Sequence, residues 1–331
     1  MINSDLKYYL PLTVNNTTTN GGRMSANQIV SGVLQNVFSH VFKAEREAGS
    51  TVYRKIFGKN ADDADETLFS AAFCVDGNTL GDDWVCFWPG TQRDTQADIT
   101  GSERKYGGGL STTAVTGGSD TTVTVDVKDA TMTGVFLDGD QVRISDKSSP
   151  DSLTGNEQWM TVTGDPSVSG TLVTLTFTAA PTASYAAGAK VSSIYEAGDV
   201  ATSLGTITKS STSGTYDDST YPWLLDNIGT TDEDIHIVFT DATHFNVTGD
   251  SLGTLGSGVI GTAFVVTNSS FSKPRFTIPA GFFTGTWATG DTMDRTIHPS
   301  AVALWEKKVT PAGASSISNN KITMITSGEA V

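Results

Sequence analysis

Thr121-Thr122-Val123-Thr124-Val125-Asp126-Val127 sets valine at every second position, between threonines and an aspartate. A period of two marks a strand with one face buried and one face wet. The signal recurs downstream. Asp138-Gly139-Asp140 is a turn and Gln141-Val142-Arg143-Ile144 a strand, and Glu157 to Thr163, Thr171 to Thr178 and Lys190 to Tyr195 continue the series. Five short strands separated by Gly, Asp and Pro turns predict a small SH3-like or OB-like barrel over 109–200, closed or nearly so, which would remove open sheet edges.

The chain beyond is also β in character. A Ser/Thr/Gly stretch at 201–220 precedes Ile235 to Thr240, Phe245-Asn246-Val247, Ala263 to Val266 and Phe276-Thr277-Ile278, with Phe282, Phe283 and Trp287 as an aromatic cluster. This predicts a β-sandwich-like region over 201–331, in which 311–331 is an exposed tail or a strand docked elsewhere.

Towards the start the signals are mixed. Residues 1–24 read as an extended arm: Pro11 disfavours helix before it, and Gly21-Gly22 breaks regular structure. Its apolar patch, Tyr8, Tyr9, Leu10 and Leu12, is too small for a core and suits docking on a neighbour's sheet edge. Ser25 with Gln28 forms a capping-box pattern before Ile29, Val33, Leu34, Val37, Phe38 and Val41, spacings that predict a helix over 26–42. Leu68 to Val75 and Trp84 to Trp88 flank the turn-rich Asp76 to Asp83 and predict a hairpin, completing a helix-plus-hairpin unit over 25–108. With Cys74 opposite Cys86, both faces of that hairpin are apolar. The expectation is that the helix covers one face while Trp84 and Trp88 anchor the other on a second domain or an adjacent subunit.

Composition narrows the function. The chain has 331 residues, 34 of them glycine, with 37% hydrophobic and 17% charged residues: enough apolar content for several folded domains. A net charge of −15 disfavours wrapping nucleic acid. The basic pairs Arg54-Lys55, with Lys59 nearby, and Lys307-Lys308 read as solvated surface charge. Met1 to Leu12 has neither the basic nor the apolar part of a secretory signal, and no apolar run approaches the length of a membrane span. Two cysteines give no disulfide framework and fit a reducing compartment, so a cytoplasm is the expected place of folding.

Chemical motifs are sparse. His40, His236, His244 and His298 form no metal-protease pattern. The acidic clusters Asp62-Asp63-Asp65-Glu66 and Asp232-Glu233-Asp234 match no calcium loop, and Gly107-Gly108-Gly109 lacks the Lys-Ser/Thr of a phosphate cradle. Gly249-Asp250-Ser251-Leu252-Gly253 matches a nucleophile elbow literally, but the glycine-rich continuation suits a turn between strands rather than a strand-to-helix elbow. The expectation is a chain with no catalytic residue, no metal and no cofactor.

Two stretches carry a family resemblance. Glu45-Arg46-Glu47-Ala48-Gly49-Ser50-Thr51-Val52-Tyr53-Arg54-Lys55-Ile56-Phe57, leading into Gly90-Thr91-Gln92-Arg93-Asp94-Thr95-Gln96, is the first; Thr296 to Ala314, around His298-Pro299-Ser300 and Trp305-Glu306-Lys307-Lys308, is the second. Both resemble virion structural proteins of the neck and tail of tailed bacteriophages. The resemblance implies a collar- or connector-like homo-oligomer: a non-enzymatic ring component contacting copies of itself and other neck, tail or capsid proteins, with no specific nucleic-acid or membrane partner. The alternatives are a carbohydrate-binding or host-adhesion β module of the virion, and a capsid decoration protein.

Overall fold

The computed structural model describes residues 5–329 and is mainly β, built of antiparallel sheets. Residues 1–4 of the expected arm and 330–331 of the expected tail lie outside the described residues.

The first sheet joins the two ends of the chain. Its order is β2 (Gly21–Ile29), β1 (Leu6–Thr13), β3 (Ser50–Asn60), β24 (Ala301–Thr310) and β5 (Trp84–Pro89). β24 runs against β3 over ten residue pairs, from Ala301 opposite Lys59 to Thr310 opposite Ser50. Its other edge carries β5, from Leu304 opposite Pro89 to Val309 opposite Trp84. A strand drawn from the 201–331 region therefore sits near the middle of the N-terminal sheet, and the sheets do not follow boundaries drawn along the sequence.

Three expectations are corrected here. The segment Leu6–Thr13 is no free arm: it pairs with β2 and β3 of its own chain, and Tyr9 is buried among Met24, Phe57, Ala301 and Ala303. The helix over 26–42 is absent. Ala26 to Ile29 complete β2, residues 30–42 form turns, and the helix α1 spans only Lys43–Ala48. Gly32 and Gln35 both adopt left-handed backbone (φ 81° and 63°), which a helix cannot contain, and β-branched valines weaken helical preference further. The expected hairpin is not one either. Leu68–Val75 is β4, the centre of a separate three-stranded sheet between β13 (Tyr195–Val200) and β25 (Met324–Glu329), while β5 pairs with β24. Cys74 and Cys86 thus belong to different sheets.

The three-stranded sheet covers one face of the first sheet. Ile56, Phe87 and Leu304 from one layer meet Leu68, Phe73, Val75 and Val200 from the other. On the opposite face, Trp84, Cys86, Trp88 and Trp305 join a core that continues into the next unit, with Val123, Val125, Ile144 and Val191.

That unit is a single seven-stranded sheet, in the order β10 (Ser167–Ser169), β11 (Leu172–Thr176), β7 (Thr122–Asp126), β6 (Gly108–Ser111), β12 (Lys190–Ser193), β8 (Gln141–Ser145) and β9 (Glu157–Thr161). The alternation in the opening motif is kept: Val123, Val125 and Val127 are buried while Thr122 is exposed. Of the expected barrel, closed or nearly so, the closed form is not present. The path of the sheet is open, and a lone bridge, Val162 with Phe177, draws the far strands together.

The last unit is built on a six-stranded sheet: β14 (Ser203–Leu204), β23 (Thr292–His298), β17 (Glu233–Phe239), β18 (His244–Gly249) and β19 (Gly253–Val259), with β15 (Thr208–Ser210) also on β23. Two separate two-stranded pairs share its core: β16 (Gly214–Tyr216) with the distant β22 (Phe283–Gly285), and the hairpin β20 (Phe264–Asn268) with β21 (Lys273–Ile278). Phe239 stacks on Trp287 with centroids 4.0 Å apart, and Trp223 on Phe276 at 5.1 Å. Such ring pairs add to the burial of their area. Gly258 is required beneath Phe245: a Cβ there would lie 2.2 Å from the ring.

Candidate functional site

Two places stand out as chemistry or as surface. The first grows from the acidic cluster Asp232-Glu233-Asp234. β17 alternates, so Glu233, Ile235, Ile237 and Phe239 point inward, while Asp234 and His236 lie on the outer face. Asp232, just before the strand, is buried. It accepts from Arg93 Nε, from Arg23 Nε at 3.4 Å and from His298 Nδ1 at 3.0 Å. Arg93 also bonds Asp234, through NH2 at 3.0 Å to Oδ1 and NH1 at 2.5 Å to Oδ2, and Thr296 Oγ1 donates to the same carboxylate at 2.7 Å. Arg23 NH2 reaches Asp250 Oδ2 at 2.5 Å. The Arg93 hydrogen bond holds Asp234 down at about 2, and Asp234 in turn raises the Arg93 guanidinium above its ordinary value.

Arg23 comes from β2 and Arg93 from the loop after β5, so the cluster fastens the first sheet to the last unit. Beside it the outer face forms an open depression of about 380 Å³, lined by Thr208, Asp234, His236, Thr248, Asp294 and Thr296 among others. His236 Nδ1 lies 2.5 Å from Asp294 Oδ1. The hydroxyls nearby are engaged: Thr296 on Asp234, and Thr248 on the His236 carbonyl at 3.4 Å. Among the described residues no group of three or more His, Cys, Asp or Glu is placed to hold a metal ion. Two arginines set against these carboxylates make an ion-paired joint between sheets.

Ser251 occupies the turn between β18 and β19. Its hydroxyl donates to Glu233 Oε2 at 2.5 Å, and the Ser251 and Leu252 amides donate to Glu233 Oε1 at 2.6 and 2.9 Å. Glu233 thereby ties the turn down, and a nucleophile elbow has no counterpart here. Both cysteines are buried and free, and burial pushes their thiols up, Cys74 to about 12 and Cys86 to about 11.

The second place is the surface of the first sheet. Trp84 and Trp88, expected to anchor an interface with a second domain or an adjacent subunit, are each only 3% exposed and belong to the core shared with the seven-stranded unit of the same chain. Of the two covers expected, a second domain or an adjacent subunit, the one in place is a second unit of the same chain. Tyr8 is covered by the three-stranded sheet, where its hydroxyl meets Thr326 Oγ1; Leu10 is half-buried and Leu12 exposed. The apolar surface lies further on. Val30, Val33, Leu34 and Phe42 are 55%, 54%, 63% and 69% exposed, in one short stretch that follows directly on β2. β2 is itself an edge strand, and Ala26, Asn27 and Gln28 are exposed on it.

Sequence reasoning missed the buried charges. Arg54, Lys55 and Lys59 are interior, as is Glu306. Lys55 Nζ donates to the Gly22 and Asp94 carbonyls at 2.9 Å each and pairs with Asp94 Oδ1 at 2.6 Å. Arg54 donates to the carbonyls of Asn15, Val37 and Tyr53 and to Asn16 Oδ1. Glu306 lies opposite Arg54 in the register yet has no hydrogen-bond or ion-pair partner among the described residues, and burial raises it to about 7. Lys59 has one long bond, 3.4 Å to the Thr230 carbonyl, and burial lowers it to about 7. The apolar pair Ile56-Phe57 set between Arg54-Lys55 and Lys59 was the available signal, read as a surface because charged residues are seldom fully buried.

No family model, curated protein or solved structure matches this chain.

Proposed function

We propose that this chain is a non-enzymatic structural component of a tailed-phage particle, forming a ring or collar with copies of itself in the neck or tail. The observation that carries the proposal is the exposed apolar stretch Val30, Val33, Leu34 and Phe42 beside the open edge of β2. Monomeric proteins seldom leave such a run uncovered next to an unpaired strand edge, because both features invite association. The resemblance of 45–57, 90–96 and 296–314 to neck and tail proteins supplies the kind of particle, and with it the virion and the host cytoplasm as locations. A glycan-binding module would present several aromatic side chains along a groove; of the six tryptophans only Trp159 is exposed. Electron microscopy tests the proposal: the purified chain should form closed rings, and its density should be found in the neck or tail of the particle. A chain that stays monomeric at high concentration and is missing from purified particles would defeat it.

A further inference from the structure

We infer that residues 31–48 become one amphipathic helix when copies of this chain meet, and that this helix, packed on the same segment of a second copy, is the contact that assembles them. The inference rests on the self-assembly proposed above and names its surface.

The helix is already begun. α1 holds Lys43–Ala48, with Glu45 accepting from the Phe42 amide at 2.7 Å in its first turn. Immediately upstream, Val33, Val37 and Val41 and then Leu34, Phe38 and Phe42 form two adjacent rows at spacing four. On a helix those rows make a single apolar face. In the isolated chain the face does not exist. The segment is a run of turns that holds Val33, Leu34 and Phe42 out to solvent. Val37 packs on the core, Phe38 lies 5.1 Å beneath Lys308 Nζ, and Arg54 donates to the Val37 carbonyl at 3.1 Å. These contacts retain the turn form. Gln35 works against it, since a non-glycine residue at φ 63° gains from returning to helical backbone. The segment thus has two arrangements: turns latched by two side chains, or a helix whose apolar face needs a cover.

The occupant follows from charge. The chain carries 36 acidic residues and a net charge of −15, so two copies repel over most of their surface. From Leu6 to Ala44 there is no carboxylate at all, while Lys7, Arg23 and Lys43 are present. Residues 31–44 are thus the part of the segment across which two copies approach without that repulsion, Glu45 and Glu47 lying at its far end, and an apolar helix face is complementary to a second copy of itself. A face that packs on its own copy makes a two-fold contact, so this helix joins copies in pairs and a ring is closed by a second surface.

The test uses the full chain in sedimentation velocity and far-ultraviolet circular dichroism over a concentration series. The wild type should gain helix as it assembles. Val33→Asp with Leu34→Asp, both at exposed positions, should leave a folded monomer at concentrations where the wild type is fully assembled. Gly32→Ala, which favours helix over the left-handed turn, should move the assembly midpoint about tenfold lower in concentration, and Gln35→Gly should move it higher. Assembly of the double aspartate variant at the wild-type midpoint, or wild-type assembly without helix gain, overturns the inference and leaves the ring proposal standing. A wild type that is monomeric at every concentration overturns both.

Discussion

The indole of Trp305 donates to Asp94 Oδ2 at 2.9 Å, across 211 residues of sequence. The other oxygen of that carboxylate takes the Lys55 ammonium at 2.6 Å. One aspartate on a loop therefore satisfies β3 and β24 from the side, while Lys55 reaches on to the Gly22 carbonyl of β2. Lys55 is wholly buried, and burial lowers its affinity for a proton while Asp94 opposes that effect.

Asp94→Ala leaves a buried indole N–H without its acceptor and a buried ammonium without its counter-charge. Breaking a buried pair from one side costs about 3–5 kcal/mol. The expected outcome is a loss of that size in urea denaturation at neutral pH. A loss under about 1 kcal/mol would mean that the two backbone carbonyls on Lys55 suffice by themselves.

Glu306 gives stability a slope with pH. Its folded-state value is about 7 against an ordinary 4.5, so between those values the folded chain holds a proton that the unfolded chain releases. Stability from this group is complete below about 4.5 and falls as pH rises through 7, by roughly 3 kcal/mol in all. Glu306→Gln keeps the shape without the charge. The variant should match the wild type near pH 5 and exceed it at pH 8. Parallel stability curves for the two proteins across that range would show that Glu306 ionises freely in the fold.

Lys59 acts with the opposite sign. Its folded-state value is about 7 against 10.5, so stability is complete above 10.5 and falls as pH drops towards 7, by on the order of 5 kcal/mol. Lys59→Met should stabilise the chain at pH 7 and change little above pH 10. The measurement is thermal denaturation of both proteins from pH 6 to 10.5, and a variant less stable than the wild type at pH 7 would count against a neutral-seeking lysine. With Glu306, the two groups place their combined penalty near neutral pH.

Strands were legible where alternation is local. Thr121 to Val127, Gln141 to Ile144 and Thr171 to Thr178 match β7, β8 and β11 to within one or two residues at each end. Partners were not legible, because pairing is decided by segments far apart. Nothing in Ala301–Thr310, with Glu306, Lys307 and Lys308 in its centre, announces an interior strand between β3 and β5. The apolar spacing over 26–42 misled: it has a helical period, but pairing of Gly21–Ile29 with β1 took the first part and left-handed backbone broke the rest. The acidic cluster at 232–234 was visible too; its cations, Arg23 and Arg93, come from remote strands and loops that composition cannot bring together.

The place of β24 has a consequence for synthesis. Until residue 310 has left the ribosome, β3 carries an open edge along most of its length and β5 has no partner strand at all, because β24 supplies the pairing for both. At about 5–20 residues per second, making residues 61–300 takes on the order of tens of seconds. Throughout that interval Ile56, Phe57, Trp84 and Trp88 await their neighbours. The first sheet therefore closes late, ahead only of the β25 edge of the three-stranded sheet; its folding is governed by delivery of the distant strand, and any chain cut short before Ala301 keeps β3 and β5 apart however well its other units form.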